Sequence, residues 1–190
     1  DCLDVPNSVG ESGAFINPGN PGIINGIFLL HHHTHHRHAP PPGLARWAPS
    51  WKNTQIARYV AVEDEALKNR IAEEATIPWN EGIIKGAPVL MVMTYVEKRS
   101  GYERDGSFST SKGDRWQNFD CGIAAATFEL AAHELGLGSV VLGIFEEEKL
   151  RELLELPEGM GVACLMPLGY PAEEPGAPKR KEVAELLTIK

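Results

Sequence analysis

The side chains that could bind a planar polar ligand are amides in two separate stretches of the sequence. Residues 48–55 read APSWKNTQ and supply Asn53 and Gln55, and Asn80 follows some 25 residues later. Side-chain amides both donate and accept hydrogen bonds, so they can pair with either kind of group on the edge of a heterocycle. These residue types could therefore bind a flat polar molecule.

Two later stretches could supply the other groups that such a ligand needs. SVVLG at 139–143 ends in glycine, so its backbone could approach a flat ring closely, and Lys179, Arg180 and Lys181 could bind a phosphate. Flavin mononucleotide (FMN) has a polar ring edge, a flat face and a phosphate. The same residues also suit an ordinary helix-to-strand turn and a solvated basic patch, and spacing alone leaves both explanations open.

Length and charge bound the class of protein. The chain has 190 residues and a formal net charge of −8, which predicts one acidic domain and argues against nucleic acid or an anionic membrane as partner. No apolar run approaches the roughly 18 residues of a membrane span, and no basic region precedes the first apolar run. We therefore expect a cytoplasmic protein.

Known catalytic and metal-binding motifs are absent from the sequence. It has no G-x-G-x-x-G after a strand, P-loop, G-x-S-x-G or H-E-x-x-H. Cys2, Cys121 and Cys164 are odd in number and widely spaced, so they predict reduced, mostly buried thiols. His133, the one histidine outside a tract at 31–38, is expected to be a partly exposed structural residue, and no metal site is predicted.

Hydrophobic patterning from residue 44 onward predicts alternating strands and helices. A helix at 64–75 should begin at Asp64, and the apolar run at 87–97 is typical of a central strand. A long polar loop or short helices are expected at 96–119, followed by a helix at 118–138 that is buried on all sides, partly at a subunit interface. Further elements are predicted as strands at 57–64, 139–143 and 160–171 and an exposed helix at 146–156.

Four stretches occur together in an order that resembles the nitroreductase family of flavin-dependent oxidoreductases. They are WAPSWKNTQ, Asn80 ahead of APVLMVM, DCGIAAATFELAAHELGLGSVVLGIF, and LPEGMGVACLMPLGYPAEEPGAPKRK. The resemblance covers residues 44 to about 185. Its specificity comes from the combination of A-P-S-x-x-N-x-Q with G-L-G-S and G-Y-P.

The resemblance implies an α+β sandwich with a mostly antiparallel central sheet flanked by helices, built as an intertwined homodimer with FMN at the interface. It assigns the loop that meets the flavin across the interface to Pro49, Ser50, Asn53 and Gln55, and a ring-edge hydrogen bond to Asn80. The strip against the ring near N5 matches Val141, Leu142 and Gly143, and the phosphate ligands match Lys179, Arg180 and Lys181.

The resemblance also implies the chemistry. Hydride passes from NAD(P)H to flavin N5 and then to a nitro-aromatic, quinone or similar acceptor by a ping-pong mechanism, with no catalytic side chain required. Tyr102, Phe108 and Trp116 in the 96–119 loop are candidates to stack on the acceptor. The alternative is a flavin or small-molecule-binding protein on the same fold without two-substrate reductase activity.

Residues 1–43 do not match the family, which has an arginine-rich phosphate-binding segment there. They contain no lysine, one arginine, six prolines and the tract HHHTHHRH. We therefore divide the chain into an atypical segment, 1–43, and an FMN-binding domain, 44–190. Three explanations of the segment stay open: a misread sequence over residues 6–43, a disordered segment, and a histidine tract that binds nickel or zinc without fixed geometry.

Overall fold

The computed structural model describes residues 15–16, 41–173 and 176–190. The histidine tract and most of the atypical segment lie outside the described residues, as does Cys2. The predicted boundary at residue 43 falls inside a short helix that begins at Pro41. The strands are β1 (Phe15–Ile16), β2 (Ala57–Val62), β3 (Val89–Val96), β4 (Gly138–Ser139) and β5 (Met160–Pro171). The helices are α1 (Pro41–Ala45), α2 (Glu65–Ala75), α3 (Pro78–Gly86), α4 (Arg115–Glu134), α5 (Glu147–Leu153) and α6 (Val183–Leu186).

The sheet is antiparallel throughout its described strands, with β5 and β3 at its centre. β2 pairs with β3 from Ala57↔Tyr95 to Val62↔Leu90, and β3 pairs with β5 from Val89↔Leu168 to Val96↔Met160. β1 and β4 both pair with the far edge of β5. The predicted α+β fold with a mostly antiparallel sheet flanked by helices is therefore confirmed.

Both faces of the sheet are covered, which explains why β3 is apolar at successive positions. Met91 and Met93 pack with α4 on one face, which we call the α4 face. Leu90 and Val92 pack with α2, α3 and α5 on the other face, which we call the α2 face. Successive side chains of a strand point to opposite faces, so a strand buried on both sides has no polar alternation.

Helix α2 begins as the sequence predicts. The Asp64 carboxylate accepts a hydrogen bond of 2.7 Å from the Leu67 backbone N–H and so caps the first turn. Ile71 is fully buried and Leu67 is partly buried, so the apolar stripe faces the sheet.

The predicted loop at 96–119 ends earlier than expected, because α4 begins at Arg115. Gln117 lies in the first turns of the helix, is buried, and accepts a hydrogen bond from the Lys98 N–H, so a buried position looks polar in the sequence. In the single chain Phe119 is 54% exposed and Leu130 is 71% exposed. The expectation that part of α4 is buried at a subunit interface stays a prediction.

The predicted strand at 139–143 is interrupted. Gly138 and Ser139 pair with Gly169 and Leu168, and Leu142 forms one further bridge with Leu165 in the same register. The two residues between them leave the ladder. The segment therefore follows the edge of β5 without forming a continuous strand.

Candidate functional site

Asn80 and the 141–143 strip lie together on the α2 face. The Asn80 side chain is 5% exposed and its Nδ2 donates a hydrogen bond of 3.4 Å to the carbonyl oxygen of Ile144. The amide makes no other hydrogen bond within the part of the chain that the structure describes. Its remaining donor and acceptor capacity is therefore available to a ligand beside the strip.

Within the strip, Leu142 serves as an anchor. Its N–H donates to Leu165 O at 2.8 Å, its carbonyl accepts from Leu165 N at 3.0 Å, and its side chain is buried. Val141 is 43% exposed and Gly143 is exposed, with open space where a Cβ would stand. A flat molecule could therefore approach the backbone on either side of Leu142. The N–H and the carbonyl of Leu142 itself are both hydrogen-bonded within the sheet.

The loop from Pro49 to Gln55 has an unusual backbone. Lys52 (φ 45°), Asn53 (φ 54°) and Gln55 (φ 49°) all lie in the left-handed region, which costs roughly 1–2 kcal/mol for each such residue. Asn53 and Gln55 are exposed, and a 3-10 turn at Trp51–Asn53 begins the loop's change of direction into β2. The sequence APSWKNTQ is therefore a turn, and it is a strained one.

Buried polar groups fix this loop from the α4 face. The Trp51 N–H lies 3.0 Å from both carboxyl oxygens of Asp120, which is 3% exposed. Ser100, fully buried, donates its hydroxyl hydrogen to the same carboxyl group. Within the loop, Ser50 Oγ accepts a hydrogen bond of 2.8 Å from the Gln55 N–H.

A cavity of about 490 Å³ opens beside this loop on the α4 face. Ser50 and Gln55 line it, together with the deeply placed ring of Tyr59. The Tyr59 hydroxyl is buried without a hydrogen-bond partner among the described residues, and burial, with smaller effects of the Cys121 and Cys164 thiols, raises its pKa to about 12. The cavity is large enough to accept part of a ligand or a segment of another chain.

The structure does not bring all the predicted site residues together in one chain. Asn80 and Val141–Gly143 belong to the α2 face, whereas Ser50 and Gln55 line the cavity on the α4 face. Lys179, Arg180 and Lys181 are exposed in the extended segment before α6, where Arg180 contacts only the carbonyl of Pro178 among described hydrogen bonds. Within one chain, the residues on the α2 face and those that line the cavity on the α4 face therefore do not share one surface.

The three aromatic candidates pack within their own region. The Tyr102 and Phe108 ring centroids lie 4.9 Å apart, and the two residues form a bridge. Trp116 belongs to α4, where its Nε1 donates to Thr110 Oγ1 at 2.9 Å. Phe108 is 57% exposed and Trp116 is half-buried, so Phe108 offers more surface to a ligand.

Asp120 and Ser100 are the polar site residues that sequence reasoning missed. An acid inside the otherwise apolar run FDCGIAAATF was the available signal, because a buried carboxyl group needs donors from another segment. His133 is exposed, whereas Cys121 and Cys164 are buried. No cluster of His, Cys, Asp or Glu in the described ranges could hold a metal ion, and no helix there is long and apolar enough to cross a membrane.

Comparison with known proteins gives a consistent set of relatives. Residues 75–170 match the family model described as Nitroreductase family. A protein of Archaeoglobus fulgidus with the provisional name NADH dehydrogenase/NAD(P)H nitroreductase is 33% identical over 134 residues, which cover 68% of this chain and 70% of that protein. An oxygen-insensitive NADPH nitroreductase of Helicobacter pylori is 28% identical over 175 residues, covering 76% and 81% of the two chains.

A solved structure extends the similarity to nearly the whole fold. A nitroreductase family protein from Streptococcus pneumoniae superposes with a TM-score of 0.74 over 94% of each chain, although the identity is only 18%. At that identity the likeness concerns the fold.

Proposed function

Because the chain belongs to the nitroreductase family, we propose that it is an FMN-dependent oxidoreductase that uses NAD(P)H to reduce nitro-aromatic, quinone or similar electrophilic acceptors. One observation carries the proposal beyond family membership. A buried amide with unused hydrogen-bonding capacity, Asn80, lies beside an exposed backbone strip, Val141–Gly143. A ring with a polar edge and a flat face needs that combination.

The proposed FMN site is composite. Asn80 binds the ring edge, and Val141 and Gly143 lie against the ring on either side of the Leu142 anchor. The Pro49–Gln55 loop comes from the other subunit of a homodimer, with Pro49, Ser50, Asn53 and Gln55 available to meet the flavin. The placement of these two groups on opposite faces of one sheet supports this division between subunits.

The phosphate is assigned to the basic cluster Lys179, Arg180 and Lys181. Their side chains form no ion pair with a carboxylate among the described residues, so their charges are available to an anion. A guanidinium flanked by two ammonium groups matches a dianionic phosphate in charge and in hydrogen-bond donors. The cluster lies in an exposed segment and would be ordered by the ligand.

When bound, FMN supplies the redox chemistry by taking hydride from NAD(P)H and passing reducing equivalents to the acceptor. The chain's own residues orient and shield it. Asn80 fixes the ring edge, and the strip limits access of water to one ring face. Three aromatic side chains select the acceptor at the open face: Tyr102 and Phe108 from the loop after β3, and Trp116 from the start of α4. The enzyme is expected to work as a cytoplasmic homodimer.

Steady-state kinetics test this proposal. With FMN supplied, oxidation of NADH or NADPH should depend on an added quinone or nitro-aromatic. Double-reciprocal plots at several acceptor concentrations should give parallel lines, because both substrates use the same face of the flavin in turn. Intersecting lines would contradict the shared face.

The alternative function, a flavin-binding protein without two-substrate reductase activity, makes a different prediction in the same assay. FMN would bind, but NAD(P)H oxidation would not respond to the acceptor.

Two substitutions, Phe108→Ala and Trp116→Ala, test whether these aromatic rings contact the acceptor or belong to the flavin site. We expect them to change acceptor preference more than flavin content, and a loss of flavin instead would assign these rings to the structure of the loop.

A further inference from the structure

The buried carboxyl group of Asp120 contacts two loops, one that leads into β2 and one that follows β3. Its oxygens accept the Trp51 N–H at 3.0 Å each and the hydroxyl of Ser100. Asp120 is 3% exposed and Ser100 is fully buried. No lysine or arginine pairs with Asp120 in the described part of the chain, so both interactions use neutral donors. Burying a carboxyl group is costly unless hydrogen bonds satisfy it.

The segment that receives this interaction is under backbone strain. Lys52, Asn53 and Gln55 have positive φ values within four residues of one another, directly after Trp51. Strained residues of this kind persist only where the surrounding structure fixes them, and they cluster at ligand sites. Asp120 fixes the backbone of Trp51, at the start of the three strained residues. The hydrogen bond from the Gln55 N–H to Ser50 Oγ fixes the backbone at their end.

The same loop is also joined to the aromatic loop at 97–114. Ser100 belongs to that loop and contacts Asp120, and Glu103 pairs with Lys52 at 2.7 Å. The hydrogen bond from Lys52, together with one from Ser109, lowers the pKa of Glu103 below its ordinary value, so the glutamate stays ionised at neutral pH. The exposed ion pair is a weak connection, whereas the buried Asp120 contacts are the strong one.

We propose that Asp120 is a positioning residue that sets the Pro49–Gln55 loop in the conformation in which Ser50, Asn53 and Gln55 can meet FMN, and that it couples this loop to the aromatic loop through Ser100. The inference rests on the proposed function, since it assigns a role within the FMN site. Asp120 also lines the cavity on the α4 face, but the proposed role does not depend on contact with the flavin. It acts by fixing the backbone of Trp51.

A matched control is available one turn earlier on the same helix. Gln117 is 9% exposed, and its Oε1 accepts a hydrogen bond of 2.6 Å from the Lys98 N–H. It therefore joins α4 to the aromatic loop by a buried hydrogen bond, as Asp120 does through Ser100, but among the described residues it makes no bond to the Pro49–Gln55 loop. A purely structural role for these contacts predicts similar effects when either side chain is truncated.

The experiment compares Asp120→Ala, Asp120→Asn and Gln117→Ala in the full-length protein. FMN binding is measured by the change in flavin fluorescence, stability by urea unfolding, and loop order by hydrogen exchange of a peptide covering residues 49–56. Asp120→Ala should weaken FMN binding roughly tenfold to hundredfold, the effect of leaving the Trp51 N–H and the Ser100 hydroxyl without their partner. Asp120→Asn should lie between it and the original protein, because an amide oxygen still accepts the Trp51 N–H.

Gln117→Ala should lower stability by an amount similar to Asp120→Ala, leave FMN affinity within about twofold, and leave exchange in residues 49–56 unchanged. Equal FMN affinity in Asp120→Ala and Gln117→Ala would overturn the positioning role. If Asp120→Ala does not fold, Asp120→Asn decides, and FMN affinity equal to that of the original protein overturns the proposal. Absence of FMN binding by the original protein would instead refute the proposed function, and the inference would fail with it.

Discussion

Asn80 combines deep burial with an amide group that is only partly used. It gives one hydrogen bond to Ile144 O and keeps the rest of its capacity beside the exposed strip. A buried amide left half-satisfied is unfavourable unless a ligand or water completes it. In the present account the edge of the flavin ring completes it.

Replacing Asn80 with alanine should weaken FMN binding roughly threefold to tenfold, the value of one neutral hydrogen bond. Fluorescence titration with FMN measures this directly. Asn69→Ala is the matched control, since Asn69 lies on the neighbouring helix α2 and is only half-buried. If both variants bind FMN as the original protein does, Asn80 is a structural residue.

The two described thiols give a pH dependence of stability. Burial raises the pKa of Cys121 to about 12 and that of Cys164 to about 11, both from 9.0. Above pH 9 the thiols ionise in the unfolded chain but stay protonated in the folded one, so the unfolded state binds fewer protons and stability falls as pH rises. The full contribution is present below pH 9.

Between about pH 9.5 and 10.5 each thiol should therefore lower the free energy of unfolding by roughly 1 kcal/mol per pH unit. Urea unfolding at several pH values measures the slope. The double variant Cys121→Ala/Cys164→Ala should be less stable at neutral pH but should show a shallower decline above pH 9. An equal slope in both proteins would mean that the thiols ionise in the folded state.

At the scale of elements, the loops supply more residues of the candidate site than the strands do, so the stability of each loop matters. In the aromatic loop at 97–114, two backbone segments approach closely, because a Cβ at Gly101 would lie 2.2 Å from the carbonyl oxygen of Gly113. Gly106 in the same loop also has a positive φ, of 84° against 88° for Gly101, but open space where its Cβ would stand. Substitutions at these two glycines therefore distinguish the energetic cost of a side chain at positive φ from the cost of a steric overlap.

Gly101→Ala should destabilise the protein by about 2 kcal/mol more than Gly106→Ala does. Both substitutions add a side chain at positive φ, costing about 1 kcal/mol, and only Gly101→Ala adds an overlap that forces the loop apart. Urea unfolding of the two variants measures the difference. Similar losses in both would show that the loop opens without cost at Gly101.

The sequence predicts the regular elements well and the loops poorly, for a physical reason. The strand at 160–171 and the start of helix α2 at Asp64 follow from local patterning and capping, and both are confirmed. The start of α4 is missed because Gln117 looks solvent-exposed in sequence, yet it is buried and accepts a hydrogen bond from the Lys98 N–H of the preceding loop. Non-local hydrogen bonds leave no periodic signal.

The same limit applies to the candidate site. Resemblance identified Asn80 and the strip at 141–143, and the structure brings these together. It could not indicate that Leu142 uses both backbone groups within the sheet, or that the loop at Pro49–Gln55 lies on the opposite face. Both features depend on contacts between segments that lie far apart in the sequence.

At the scale of the whole molecule, the surface of the single chain carries apolar groups that a partner would cover. Leu130 on α4 is 71% exposed, Ile144 beside the strip is 61% exposed, and Ile189 near the end of the chain is 86% exposed. The proposed homodimer would bury them and would bring the two halves of the FMN site together.

Leu130→Glu should convert a dimer of the 20.8 kDa chain into monomer and should reduce FMN binding at the same time, because a charge buried in an interface is costly. Analytical ultracentrifugation and FMN titration at equal protein concentration measure the two effects. Ala66→Glu, on the exposed side of α2, is the control and should change neither. A monomeric original protein that still binds FMN would contradict the composite site.

The central claim is that this chain binds FMN and reduces it with NAD(P)H. The visible absorption spectrum of the purified protein supplied with FMN, recorded without oxygen before and after addition of NADH or NADPH, tests it most directly. We predict a protein-bound flavin spectrum that bleaches with at least one of the two nucleotides. Flavin that stays free, or bound flavin that neither nucleotide bleaches, would contradict the account.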